Sequence, residues 1–257
     1  MDIQDIVARV TKEVMARMSE SAPKGESNAG IAHTDACIAH TDACIAHTIE
    51  HSLLNPDMTK DKIIKGCKDA KAYRMANICV SPYYVSLAAE YLRGSGVKVC
   101  APVAFPHGAA STAAKIVEAR EAIKNGAEEL DVSMNILAIK NGELEEALRD
   151  LCEVVNVAKG KALVKAIYEQ GLYNDEEKAA ALNIAKQSGA DFVKISNALT
   201  GKKALAEDVR FVRGIVGSSI GIKIDGGIAT AEKVRELMAA GAQRFGCSKS
   251  VEIVQGQ

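Results

Sequence analysis

Between residues 45 and 247, short apolar runs alternate with longer amphipathic stretches, and this alternation limits the fold more than any other feature of the chain. Strand-like runs fall near 45–50, 76–81, 97–103, 128–134, 162–168, 191–196, 220–224 and 243–247. Helical patterns intervene near 59–73, 82–93, 111–125, 142–158, 175–188, 204–216 and 230–240. Strands joined through helices pair in parallel, and parallel sheets are buried on both faces, so their strands read as nearly unbroken apolar runs. Eight such units predict an α/β fold closed into a (β/α)8 TIM barrel. An open doubly wound sheet shares the local pattern, but no GxGxxG follows an early strand, which weakens a dinucleotide-binding alternative. At 257 residues the chain has the length of one such barrel or of two smaller domains.

Against that apolar background four charged residues stand out. Lys194 lies within Ala190-Asp191-Phe192-Val193-Lys194-Ile195-Ser196, and Lys223 within Ser219-Ile220-Gly221-Ile222-Lys223-Ile224-Asp225-Gly226-Gly227. Asp131 sits between Leu130 and Val132, and Lys165 between Val164 and Ala166. Burying an unpartnered ammonium is costly, so a lysine in such a run is paired with a carboxylate, snorkels to water from a strand end, or is held neutral for use as a nucleophile. Two lysines on neighbouring strands are expected to lower each other's pKa and favour a neutral amine. One reading of the set is a structural ion-pair network. The other is imine chemistry, which needs a neutral amine, a second cation to tune it and an acid/base group to move protons. Gly226-Gly227 and Gly246-Cys247-Ser248 follow the last two strands, where barrels often hold a phosphate on backbone N–H groups.

The totals exclude several classes. A net charge of −1 with 4% aromatic residues gives no basic surface for nucleic acid. No apolar run approaches the roughly 20 residues of a membrane span, and the acidic start, Asp2 and Asp5, lacks the order of a signal peptide. The seven cysteines include no CxxC pair, which fits reduced thiols in a cytoplasmic protein.

Ahead of the barrel the chain has a different character. In residues 1–18, Ile3, Ile6, Val7, Val10, Val14 and Met18 recur at helical spacing, predicting an amphipathic targeting or docking helix. Its apolar stripe is expected to pack on its own domain, to join copies in a homo-oligomer, or to dock on another protein. A mixed-sign polar face disfavours a membrane surface. Residues 19–44 read as a linker: Ser19 to Gly30 is rich in Ser, Gly and Ala, and Ile31-Ala32-His33-Thr34-Asp35-Ala36-Cys37 is then repeated through Cys44. His33, Cys37, His40 and Cys44 are candidate metal ligands by residue type, but identical short copies read more simply as duplication, and no metal is expected. The barrel then occupies 45–257.

From about Ile45 to Val254 the sequence resembles the deoxyribose-phosphate aldolases. The likeness is carried by Ile49-Glu50-His51-Ser52-Leu53-Leu54-Asn55-Pro56-Asp57, Ile78-Cys79-Val80-Ser81-Pro82, Gly94-Ser95-Gly96-Val97-Lys98-Val99-Cys100 and Phe105-Pro106-His107-Gly108-Ala109. It continues through Gly126 to Val132, Ala190 to Lys194, and Lys223 with Gly226-Gly227. The resemblance implies a class I aldolase on a (β/α)8 barrel, without cofactor or metal, that cleaves 2-deoxyribose 5-phosphate to acetaldehyde and glyceraldehyde 3-phosphate. By position it implies Lys194 as the imine-forming lysine, Lys223 as the lysine that tunes it, Asp131 as the proton relay and Lys165 as a supporting lysine. It also implies Gly226, Gly227 and Ser248 as phosphate-binding positions. Residues 1–18 resemble the encapsulation peptides that deliver enzymes into bacterial microcompartments, which implies a shell protein as partner.

The chain departs from the family at several points. Ile195-Ser196-Asn197-Ala198 stands where Thr-Ser-Thr-Gly is usual, Asp225 replaces a serine before the glycine pair, and Lys249 replaces a small residue after Ser248. Asp225 is expected to repel a phosphate unless Lys202, Lys203 or Lys249 compensates. A different aldehyde or sugar phosphate as substrate, and a non-catalytic microcompartment cargo protein, therefore stay open as alternatives.

Overall fold

The computed structural model describes residues 45–256. Its eight strands are β1 (Ile49–Leu53), β2 (Asn77–Val80), β3 (Lys98–Val103), β4 (Glu129–Ser133), β5 (Leu163–Glu169), β6 (Phe192–Ser196), β7 (Gly221–Asp225) and β8 (Arg244–Cys247). All pair in parallel, in sequence order, and β8 returns to β1, closing the barrel that the alternation predicts. The helices between them are α1 (Lys60–Ala72), α2 (Val85–Leu92), α3 (Thr112–Lys124), α4 (Ile136–Lys140), α5 (Leu144–Ala158), α6 (Asp175–Gln187), α7 (Ala206–Val216) and α8 (Ala231–Ala239), with a short α9 (Ser250–Val254) after β8. Residues 1–18 and the 31–44 repeat, including His33, Cys37, His40 and Cys44, lie outside the described residues. Among those described, no helix is long and apolar enough to cross a membrane.

Most elements fall within a few residues of their sequence expectation, and the exceptions have local causes. The first strand begins at Ile49 rather than near 45, because Thr48 folds back on Ile45: its amide and its hydroxyl both donate to the Ile45 carbonyl, at 2.9 and 2.7 Å. An additional short helix, α4, precedes the stretch expected as one helix near 142–158. Gly142, at φ 73°, closes α4, and α5 starts at Leu144. Helix starts follow capping chemistry. Asn174 and Glu177 form a reciprocal capping box on α6, and Ser111, Asn135 and Thr230 cap α3, α4 and α8 with side-chain oxygens.

Strand alternation sorts residues between two cores. Val193 and Ile195 on β6, and Ile222 and Ile224 on β7, are fully buried beneath the helices. The residues between them, Lys194 and Lys223, share the lumen and are register partners. A lumen normally filled by branched apolar side chains is here filled largely by charge. Glu50, Glu129, Asp131, Lys165, Lys194 and Lys223 are all buried.

Candidate active site

Parallel register builds the lumen cluster. Asp131 pairs with Lys165 between β4 and β5, Lys194 with Lys223 between β6 and β7, and Lys223 with Arg244 between β7 and β8. Asp131 is the hub: its carboxylate lies 3.0 Å from Lys165 Nζ, 3.0 Å from Lys194 Nζ and 2.6 Å from Lys223 Nζ. Glu50 from β1 binds Lys223 and lies 3.3 Å from Lys165 Nζ, while Glu129 holds Lys165 at 2.6 Å. Arg244 spans Glu50 and Glu129 at 3.4 Å each, and the Asn77 amide donates to Glu129 at 2.7 Å. With Asp225, which meets Lys194 at 3.0 Å, the cluster balances four cations (Lys165, Lys194, Lys223, Arg244) against four carboxylates (Glu50, Glu129, Asp131, Asp225). Such balance is what makes burial of this much charge tolerable.

The proton inventory follows from the same contacts. Burial alone would raise the Asp131 carboxyl, but Lys165, Lys194 and Lys223 outweigh it and hold it well below the usual carboxylate range. Glu50 is likewise pushed up by burial and pulled down further by Lys165 and Lys223, to about 2. Burial pushes the Lys194 ammonium down, yet Asp131 and Asp225 overcome it, and the group stays protonated to well above its ordinary value. Lys223 is raised in the same way by Asp131 and Glu50, with Lys194 opposing. The geometry runs against the expectation of an amine kept neutral by its neighbouring lysine: Lys194 meets two carboxylates, Asp131 and Asp225, at 3.0 Å each, and their effect prevails. Nor do these lysines snorkel, since the side chains of Lys165, Lys194 and Lys223 are 0%, 3% and 2% exposed.

Lys194 and Asp225 lie at the open end of the cluster, toward the carboxyl ends of the strands. The β3–α3 loop folds over this end. Gly108 there stands so close to β4 that a Cβ would lie 1.8 Å from the Met134 carbonyl oxygen, and the tight turn sets the Phe105 ring with its centroid 5.5 Å from Lys194 Nζ. On the other side the β6–α7 and β7–α8 loops are laced together. Ala204 N–H donates to the Gly226 carbonyl at 2.9 Å, and the Asn197 amide donates to the Asp225 carbonyl at 3.4 Å. A Cβ on Gly226, at φ 113°, would come to 3.0 Å from the Lys202 carbonyl oxygen, so this approach requires glycine. Gly227, Lys202 and Lys203 are exposed on these loops, and Ser248 and Lys249 are exposed between β8 and α9. The expected neutralisation of Asp225 by Lys202, Lys203 or Lys249 is not what the geometry shows. Asp225 turns into the lumen and pairs with Lys194 instead.

Two buried groupings have the spacing of metal ligands, Cys79–Cys100–Asp131 and Glu50–Cys100–Glu129. Lys165 Nζ already sits among them, 3.4 Å from Cys100 Sγ and 3.0 Å from Asp131, filling the place a cation would take. The fold brings Lys165, Lys194, Lys223 and Asp131, the four charged residues conspicuous in the sequence, into one cluster. Glu50, Glu129 and Arg244 join that cluster without having stood out in the sequence. The signal for Glu129 was present, since it shares strand parity with Asp131; Glu50 and Arg244 lie in the first and last strands and meet only when the barrel closes.

A closed parallel barrel with a lysine–carboxylate cluster opening at the carboxyl ends of its strands has the architecture of the TIM-barrel enzymes, whose sites lie at that end. Residues 44–255 match the model of the DeoC/LacD family aldolases, and the chain belongs to that family. Deoxyribose-phosphate aldolase of Clostridium tetani is 44% identical over 207 residues, which cover 80% of this chain and 96% of the relative. That of Bacillus mycoides is 44% identical over 206 residues, 80% of this chain and 92% of the relative. Among solved structures, a deoxyribose-phosphate aldolase described as putative, from Coccidioides immitis, superposes with a TM-score of 0.79 at 30% identity, covering 95% of each chain. The tetrameric deoxyribose phosphate aldolase of Aeropyrum pernix superposes with 0.78 at 27% identity, covering 84% of this chain and 92% of that one.

Proposed function

We infer that the protein is a class I, imine-forming aldolase that cleaves 2-deoxyribose 5-phosphate to acetaldehyde and glyceraldehyde 3-phosphate. The observation that carries the reading is Lys194 Nζ: buried, at the open end of the lumen, and 3.0 Å from Asp131 and from Asp225. The relatives named for this reaction support the substrate.

In this mechanism Lys194 loses a proton and its lone pair attacks the aldehyde carbon of the open-chain sugar. Loss of water from the carbinolamine leaves a protonated imine, which draws in the electrons of the C2–C3 bond as the C3 hydroxyl gives up its proton. Asp131 is the carboxylate on the lumen side of Lys194, and Lys223 fixes it at 2.6 Å for proton relay. Lys165, held at 3.0 Å from the same carboxylate, supports its position and charge. Glyceraldehyde 3-phosphate departs, and protonation and hydrolysis of the enamine release acetaldehyde and free Lys194. Backbone N–H groups at Gly226 and Gly227, with Ser248 and the cations Lys202 and Lys249, are suited to hold the phosphate at the mouth. Chemistry on a different aldehyde or sugar phosphate is the second reading, favoured by the carboxylate of Asp225 in the mouth.

Borohydride reduction in the presence of deoxyribose 5-phosphate or acetaldehyde, followed by peptide mass mapping, tests the assignment. The expected adduct is on Lys194 and is absent in Lys194→Ala. No adduct with either compound, or with a wider panel of carbonyl compounds, overturns it in favour of a non-catalytic cargo role. For residues 1–18 the amphipathic pattern supports delivery into a microcompartment through a shell protein. Deleting residues 1–30 is expected to abolish co-purification with shell while leaving turnover intact. Self-association, as in the tetrameric relative, is read by sedimentation.

A further inference from the structure

Lys194 Nζ lies 3.0 Å from Asp131 and 3.0 Å from Asp225, and an amine paired with carboxylates must hand one of them a proton before its lone pair can attack. Two carboxylates are within reach, and they differ in what else they hold. Asp131 is fully buried and shared among Lys165, Lys194 and Lys223, so three positive charges oppose its protonation. Among the described residues Asp225 has one ion-pair partner, Lys194, at 3.0 Å, and its side chain is 24% exposed, in contact with solvent at the mouth. Of the two carboxylates, Asp225 is thus the one with fewer cations against it and the one that solvent reaches.

The site is also built to keep Asp225 where it is. Its carbonyl accepts from the Asn197 amide at 3.4 Å, and the Gln170 amide donates to Asn197 Oδ1 at 3.3 Å and to Asp208 at 2.9 Å. Across the strand pair, Gly246 leaves the room: a Cβ there would lie 2.9 Å from Asp225 Cβ and 3.6 Å from Lys223 Cε.

We propose that Asp225 is a catalytic acid/base residue of the imine-forming half-reaction, with Asp131 serving the carbon–carbon bond step. This rests on Lys194 being the nucleophile. Asp225 takes one proton from the Lys194 ammonium, and the freed lone pair forms the C–N bond while the carbonyl π pair moves to oxygen. A second proton passes from the new C–N nitrogen to that oxygen, giving the neutral carbinolamine. Protonated Asp225 then delivers its proton to the hydroxyl as the C–O bond breaks, water leaves, and the nitrogen lone pair completes the protonated imine. Asp225 ends as the carboxylate it began as, and the step consumes no co-reactant.

Pre-steady-state adduct formation on Lys194, with acetaldehyde and cyanoborohydride across pH, tests the proposal in wild type, Asp225→Asn and Asp225→Glu. Besides Asp225, the groups facing the amine are Asp131 from β4, Lys223 from β7, Cys79 from β2 and the Phe105 ring, and Cys247 from β8 faces Asp225. Asp225→Asn is expected to form the adduct about 100-fold more slowly at its plateau. Its rising limb should begin at lower pH, because loss of a carboxylate lets Lys194 deprotonate more easily. Asp225→Glu should recover part of the rate. A variant that labels at the wild-type rate with an unmoved pH profile overturns the role of Asp225 and leaves Lys194 as nucleophile. Absence of any Lys194 adduct in wild type, with any carbonyl compound, overturns both. Damage to packing alone would lower the labelled fraction without moving the profile, and that outcome also counts against the proposal.

Discussion

Two buried lysine systems in this molecule have the same components and different consequences. In the helical layer, Lys115 of α3 is fully buried, pairs with Asp150 of α5 at 2.5 Å, and donates to the Ser133 carbonyl at 3.1 Å. Asp150 accepts in addition from the Thr112 hydroxyl at 2.8 Å, so the unit is one cation, one anion, closed on every side. In the lumen a network of four cations and four anions reaches solvent at two members, Asp225 beside Lys194 and Arg244 on β8. The first arrangement locks α3 and α5 to the end of β4. The second gathers three lysine Nζ atoms within 3.0 Å of the single carboxylate of Asp131 and opens to solvent beside Lys194 at Asp225. Buried charge by itself thus does not mark a candidate site; the lumen cluster differs from the Lys115–Asp150 pair in sharing its charge and reaching an opening.

Breaking one lysine of each system sharpens the contrast. Lys165→Met leaves Glu129, Glu50 and Asp131 short of a cation. It is expected to cost about 3–5 kcal/mol of stability, and to lower aldol cleavage at least about 100-fold because Asp131 loses its anchor; denaturant melts and an acetaldehyde-release assay read both effects. Lys115→Met should cost a similar 3–5 kcal/mol or so, but turnover per folded molecule should stay near wild type. A comparable loss of turnover would break the distinction between the two systems.

Acid gives the next largest effect. Glu50 is held at about 2 against an ordinary value of 4.5, so the stability it contributes is complete above pH 4.5 and is lost as the pH falls toward 2. Glu50→Gln should flatten the fall in stability across that window, measured by thermal melts at stepped pH. The smallest effect belongs to exposed pairs. Lys98–Glu128 has side chains 47% and 48% exposed, and Lys98→Ala should change stability by less than about 1 kcal/mol, shrinking further with added salt. A larger loss would show that surface ion pairing matters more here than the buried clusters suggest.

Much of the barrel was legible in order along the chain, because strand and helix patterns and caps are local. Lys194, Lys223, Asp131 and Lys165 were legible as well, since a charged residue in an apolar strand run is conspicuous. Lys115 and Asp150 were not, because a charged residue in an amphipathic helix looks like any solvated one until the partner helix covers it. Glu50 and Arg244 were hidden for a different reason: they lie 194 residues apart and come together only when β8 pairs with β1.

Sequence alone determined the succession of strands and helices, the parity that sends Lys194 and Lys223 to one face, and the glycines that let the loops approach. Tertiary structure decided the charge state. Whether a lysine between two apolar residues is a neutral nucleophile or a held ammonium depends on which carboxylates closure of the barrel brings within 3.0 Å, here Asp131 and Asp225. Coulombic interaction depends on distance through space, and separation along the chain does not report it.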